Sequence, residues 1–258
     1  MLTRAHSAVI YRNPDSQRVY IFESENGMTF DEGVNPNDGV LLAPLRWLYS
    51  SKYGRDPEAM IGIRKLSNFE RTPEDIAKAE KFICANLAKP YEGSMAQMGT
   101  AICDGNCYVL CCWTPASCIA REEAAKTMFC SEAVSGMLQE LGPLSDAYPS
   151  SHFSPGDLGE TTGLWLCCPC QINTLPMARG ASYDADVVLK NPALTGVNFD
   201  EYYPEHVDSF IEEEIALTRK DIESIRVKHG FVNQGESVQV PVLQGAAPGQ
   251  QAGVRGCC

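Results

Sequence analysis

Two short runs rich in β-branched and aromatic residues, Ser7-Ala8-Val9-Ile10-Tyr11 and Arg18-Val19-Tyr20-Ile21-Phe22, flank the turn-forming stretch Asn13-Pro14-Asp15-Ser16. That arrangement predicts a β-hairpin over residues 6–24. After a Gly-, Asn-, Asp- and Pro-rich loop between Gly27 and Gly39, the apolar run Val40-Leu41-Leu42-Ala43-Pro44-Leu45 predicts a strand, and Ile61-Gly62-Ile63-Arg64-Lys65-Leu66 predicts another. Thr72-Pro73-Glu74-Asp75 supplies an N-cap hydroxyl, a proline at the first helical position and a carboxylate at the third, so a helix is expected to run to about Leu87. Residues 90–126 show no dominant period, because Gly, Cys and Pro interrupt each apolar run. Helical spacing returns at Ala133, Val134, Met137, Leu138 and Leu141, predicting a helix over 127–141 that Gly142-Pro143 stops. Pro149 to Leu158 reads as a loop. A late amphipathic helix is expected from about Glu205 to His229, with Val207, Phe210, Ile211, Ile215, Ile222 and Ile225 on one face and Gly230 at its end.

With 258 residues and 44% hydrophobic content, the chain can bury a full core. Its formal net charge of −12 repels phosphate backbones, so no nucleic-acid partner is expected. No run of eighteen apolar residues occurs, and Met1-Leu2-Thr3-Arg4-Ala5-His6 lacks the apolar segment of a signal peptide. A cytoplasmic protein is therefore expected, with its twelve cysteines held as thiols by the reducing poise of that compartment.

A cysteine at a helix N-terminus gains thiolate character, because unpaired backbone N–H groups and the helix dipole favour negative charge there. Cys130 has that placement in Thr127-Met128-Phe129-Cys130-Ser131-Glu132, whereas Cys84 lies inside a predicted helix. The same N–H groups can stabilise the oxyanion of a tetrahedral intermediate. Of the four histidines, His6 stands at the mouth of a predicted strand and is the candidate base. If the hairpin closes with a two-residue loop at Pro14-Asp15, paired residue numbers sum to 29 and His6 faces Glu23. A one-residue slip would remove Glu23 and favour Glu25 or no carboxylate. Each residue also has a plainer reading: Cys130 as a small core residue, His6 as a strand end, Glu23 as a solvated edge charge, and His152 as a loop residue.

The order His6, then Glu23 at the end of the next strand, then Cys130 in Phe-Cys-Ser-Glu-Ala-Val opening a helix resembles the circularly permuted papain-like, NlpC-related cysteine hydrolases. Asp38 to Leu45 is similar to the strand that follows the hairpin in that family, and Pro149 to Leu158 to its loop after the cysteine helix. The resemblance covers roughly residues 5–160. It implies an α+β fold, an antiparallel sheet carrying His6 and Glu23 packed against the helix carrying Cys130. It also implies attack of the Cys130 thiolate on an amide or thioester carbonyl, in a hydrolase or acyltransferase whose substrate is a peptide or an acyl lipid. Only five residues precede His6, where family members carry a further strand and loop. The rival from another class is therefore a catalytically inactive protein of the same fold that binds a lipid or peptide or serves as a scaffold.

Cys103, Cys107, Cys111, Cys112 and Cys118, and separately Cys167-Cys168-Pro169-Cys170, offer loose zinc-like spacings without a histidine-containing second half. Neither a resident metal nor a cofactor is expected. The expected organisation is a permuted papain-like domain over 1–185 with a cysteine-rich insert near 95–118, a helical extension over 186–232, and a disordered tail over 233–258. That tail, rich in Gln, Gly, Ala and Pro, ends in Cys257-Cys258. The pair resembles the lipidated ending of vesicle-traffic GTPases, although the chain carries no phosphate-binding Gly-x-x-x-x-Gly-Lys loop. Dual lipidation at Cys257 and Cys258 would tether the protein to the cytosolic face of a membrane.

Overall fold

The computed structural model describes residues 6–25, 39–45, 60–92, 127–153, 155–159, 175–185, 187–190 and 207–231. Within them the chain is a mixed α/β fold of antiparallel sheets and helices. Strands β1 (Val9–Arg12), β2 (Val19–Glu25) and β3 (Gly39–Pro44) form one antiparallel sheet with β2 in the middle. The strand expected over 61–66 is split. Its first part, β4 (Met60–Ile63), and its second, β5 (Leu66–Ser67), pair in separate two-stranded sheets with β7 (Val187–Lys190) and β6 (Ser182–Tyr183) respectively. β7 thus falls beyond residue 185, yet pairs with a strand from the first third of the chain.

The hairpin differs from expectation in its loop. Val9 faces Phe22 and Ile10 faces Ile21, so paired numbers sum to 31. The loop spans Pro14 to Gln17: Asn13 Oδ1 accepts the N–H groups of Asp15 at 2.8 Å and Ser16 at 3.2 Å, and Gln17 takes a positive φ of 61°. Because side chains alternate along a strand, this shift of two leaves every residue of β2 on its expected face.

Helix α1 (Pro73–Asn86) begins at a reciprocal capping box, in which Thr72 Oγ1 accepts the Asp75 N–H and Asp75 accepts the Thr72 N–H. The backbone bond from Thr72 leads the effects that hold the Asp75 carboxyl below the usual carboxylate range. Helix α2 (Cys130–Leu141) starts three residues later than its apolar spacing suggests. The reason is a competing set of bonds: Met128 N–H donates to Pro90 at 3.1 Å and Glu92 N–H donates to Met128 at 3.2 Å, so the lead-in to α2 lies extended beside residues 90–92. Gly142, at φ 87°, ends the helix in the left-handed conformation that lacks a penalty only without a Cβ. A single 3₁₀ turn, Ser150–His152, occupies part of the loop expected after it.

Helix α3 (Val207–Lys228) is part of the core, since Ile222 and Ile225 are buried with Tyr20, Phe22, Val40, Leu42, Ile83, Ala133 and Met137. Two buried acids fasten it. Asp221 accepts the Tyr20 hydroxyl at 2.5 Å, and the fully buried Glu80 on α1 contacts His229 Nε2 at 2.6 Å, Lys228 Nζ at 3.0 Å and the Tyr11 hydroxyl at 3.1 Å. No helix among the described residues is long and apolar enough to cross a membrane. The tail beyond 232, Cys257 and Cys258, the insert near 95–118 and both cysteine clusters lie outside the described residues.

Burial raises the cost of charge on Glu80, but its bonds to His229, Lys228 and Tyr11 outweigh that and hold the carboxyl below its ordinary 4.5. A depressed folded-state value means the contribution is complete above pH 4.5 and disappears as pH falls through that lower value. Glu80→Ala, which strands its three partners, is expected to cost about 3 kcal/mol. Urea denaturation at pH 7 measures this, and the gap between variant and wild type is expected to close on acidification.

Candidate active site

The site grows from β2. Residues Ile21, Glu23 and Glu25 alternate onto one face of the strand, and six consecutive positions from Tyr20 to Glu25 are buried. Isolated carboxylates in such a setting are costly, so each requires a compensating group. His6, just ahead of β1, supplies it to both: Nε2 lies 2.7 Å from Glu23 Oε2 and Nδ1 lies 3.1 Å from Glu25 Oε2. The carboxylates expected as alternatives under different registers therefore act together, because the two-residue shift of the hairpin keeps both on the same face.

Cys130 is the first residue of α2, buried and free of any disulfide. Cys130 lies near enough to the His6 ring to raise its proton affinity, so His6, Glu23 and Cys130 form one group although they come from the start of the chain, the central strand and a helix more than a hundred residues later. The helix start is held against the strand by Ser24, whose hydroxyl donates to the Met128 carbonyl at 2.6 Å. The first-turn N–H groups of α2 have no partner inside the helix and present positive dipole beside the sulfur.

Burial is the largest single influence on His6 and lowers its proton affinity. Hydrogen bonds to Cys130 and Glu23, with the negative charge on both, together outweigh it and raise the imidazole from 6.5 to about 10. A proton affinity raised this far makes the ring, clamped between two carboxylates, an imidazolium at neutral pH. A protonated ring so placed can give its proton to a leaving group.

Three residues that the sequence reading did not select also lie here. Tyr91, half-buried, pairs through its backbone with Met128, two residues before Cys130. Its phenol is pushed up to about 12, first by burial and then by negative charge at Cys130 and Glu25, which sets it within electrostatic reach of both. Glu132, on the first turn of α2, accepts the Phe129 N–H at 3.4 Å and is raised to about 7, chiefly by burial. Ser131 is fully buried, and its hydroxyl has no partner among the described residues. No pattern in the sequence marks Tyr91, whose position depends on pairing between segments 37 residues apart.

No family model, curated protein or solved structure matches this chain. The functional reading therefore rests on the geometry above. Among the described residues, His6, Glu23 and Glu25 are also the group able to hold a metal ion, with one donor atom from each lying within 4.8 Å of the others. The side chain of His152 lies outside the described residues.

A raised folded-state value for His6 means that its pairing contributes fully below 6.5 and is lost as pH rises through about 10. Imidazole nitrogen NMR is expected to show His6 doubly protonated at about pH 8 in the wild type, with the Glu23→Gln midpoint moved down toward an ordinary histidine value. A wild-type midpoint near 6.5 would show that the ring is not held by the carboxylates.

Proposed function

We propose that this chain is a cysteine-nucleophile hydrolase or acyltransferase of the permuted papain-like kind, acting on an amide, peptide, thioester or acyl-lipid carbonyl. The observation that carries the reading is that His6, held by Glu23 and Glu25, lies near Cys130 at the start of α2. The spatial order of a strand-borne carboxylate, a histidine and a helix-leading cysteine supports the resemblance seen in the sequence, as does the antiparallel sheet adjoining α2.

In this reaction the Cys130 sulfur attacks the substrate carbonyl, and the carbonyl π electrons move onto oxygen. First-turn N–H groups of α2 stabilise the oxyanion, with the Tyr91 hydroxyl as a further donor. Collapse of the intermediate expels the amine, thiol or alcohol, which takes the His6 proton and leaves Cys130 acylated. Neutral His6 then deprotonates water, or an acceptor nucleophile, and the acyl group leaves on it. Glu23 keeps the ring oriented and balances its charge throughout, as the acid of a catalytic triad does. Cys257 and Cys258, if lipidated, would bring this chemistry to a membrane surface and raise the effective concentration of lipid-borne substrates.

Incubation with a panel of acyl thioesters, acyl lipids and peptide amides, followed by acid quench and mass spectrometry of peptides, tests the proposal. An acyl adduct on Cys130 in the wild type and none in Cys130→Ala is expected, whereas an unchanged adduct yield in Cys130→Ala would overturn it. With any substrate so found, Tyr91→Phe is expected to lower turnover by about 100-fold with little change in KM, the behaviour of a donor engaged in the transition state.

A further inference from the structure

The donor set at the site has capacity that the thiol reaction does not use. Glu23 spends one carboxylate oxygen on His6, while the other, Oε1, is buried with no hydrogen-bond partner among the described residues. Among the described residues, two other buried side-chain oxygens share that condition. They belong to Ser7 and Ser131, the chain neighbours of His6 and Cys130. Buried polar atoms are nearly always satisfied, so the orphaned Glu23 oxygen points to an occupant of the site.

The donors define its chemistry. His6 offers a ring nitrogen, Glu23 and Glu25 each offer an oxygen, and these atoms lie within 4.8 Å of one another. Glu23 and Glu25 now meet different ring nitrogens, so binding one ion at bond lengths of about 2.0–2.2 Å requires the side chains to turn toward a single ring nitrogen. Cys130, at the start of α2 and near the same ring, is the sulfur donor at hand. Hard ions such as magnesium or calcium favour oxygen alone, whereas a nitrogen, two oxygens and a thiolate suit a borderline-soft, tetrahedral ion.

We propose that His6, Glu23 and Glu25 form a binding site for a zinc-class divalent cation that recruits the Cys130 thiolate as its fourth donor and thereby holds the nucleophile inactive. Metal binding rests on the donor set alone; its role as a brake rests on the proposed thiol chemistry. A cation there occupies the imidazole nitrogen and the sulfur at once, so the metal-bound and acyl-transferring states exclude each other.

The test uses the full chain, stripped with a chelator, with zinc, calcium or no metal added. Iodoacetamide alkylation is followed by mass spectrometry at Cys130 and Cys84, and zinc content is measured alongside, with His6→Ala and Glu25→Gln as variants. Zinc, but not calcium, is expected to slow alkylation of Cys130 by about 10- to 100-fold while leaving Cys84 unaffected, and Glu25→Gln to lose most of that protection. Tightly bound zinc is expected to fall by one ion per chain in His6→Ala, against whatever the other cysteines hold. Rapid alkylation of Cys130 that zinc does not slow would overturn the metal site and leave the hydrolase reading intact. A zinc ion lost in His6→Ala, with Cys130 no faster than Cys84 in the stripped wild type, would keep the metal site and remove the nucleophile. Protection that persists undiminished in Glu25→Gln and His6→Ala would show zinc binding to the sulfur alone, and also overturns the proposed site.

Discussion

A charged carboxylate buried on a central β-strand has to be neutralised, and Glu23 is such a group: fully buried, in the middle of a three-stranded sheet. Leaving it unpaired would cost several kcal/mol, more than most single contacts return. His6 is the neutralising partner, which fixes the chain ahead of β1 over the end of the sheet. Glu25 takes the second ring nitrogen, and the N-terminus of α2 brings Cys130 near the same ring. The Ser24 hydroxyl on Met128 holds the helix start in place from the same strand. The site is thus a consequence of where β2 places its acids.

The same device recurs away from the site. Glu80 and Asp221 are buried acids, each satisfied by groups from another element: Tyr11, Lys228 and His229 for the first, Tyr20 and Ser16 for the second. Together they tie the hairpin and α1 to α3. Apolar packing of Ile222 and Ile225 supplies attraction without a defined register, and the acid contacts select one register of the helix. Gly136 permits the close approach of α1 and α2, because a Cβ there would meet the Phe82 ring at 3.0 Å.

Much of this was legible in the sequence because the signals were local. Thr72-Pro73-Glu74-Asp75 encodes its own cap, Gly142 and Gly230 end their helices in positive φ, and the β-rich runs around Asn13-Pro14 give the hairpin. Cys130 could be singled out because a helix start is visible in apolar spacing, and Glu23 because strand alternation survives a two-residue error in the loop. What escaped was set by pairing at long range. Tyr91 is at the site because residues 90–92 lie beside 127–129, which also delays the start of α2. The split at Arg64-Lys65 arises because β4 and β5 find partners 120 or so residues away, and no local pattern announces them. Glu25 was seen only as a substitute for Glu23, since register reasoning chooses one partner and an imidazole has two nitrogens.

In the proposed reaction His6, itself held by Glu23, makes the nearby Cys130 sulfur reactive. Cys84 is the natural comparison: it is about equally buried, at 7% exposure against 5%, and burial pushes its thiol up to about 11. The direct measurement is the rate of alkylation by iodoacetamide at each cysteine in native, metal-free protein at neutral pH, for wild type and His6→Ala. The account predicts that Cys130 reacts about 100-fold faster than Cys84 in the wild type and loses most of that advantage in His6→Ala. Equal rates at the two cysteines, or a Cys130 rate indifferent to His6, would contradict it.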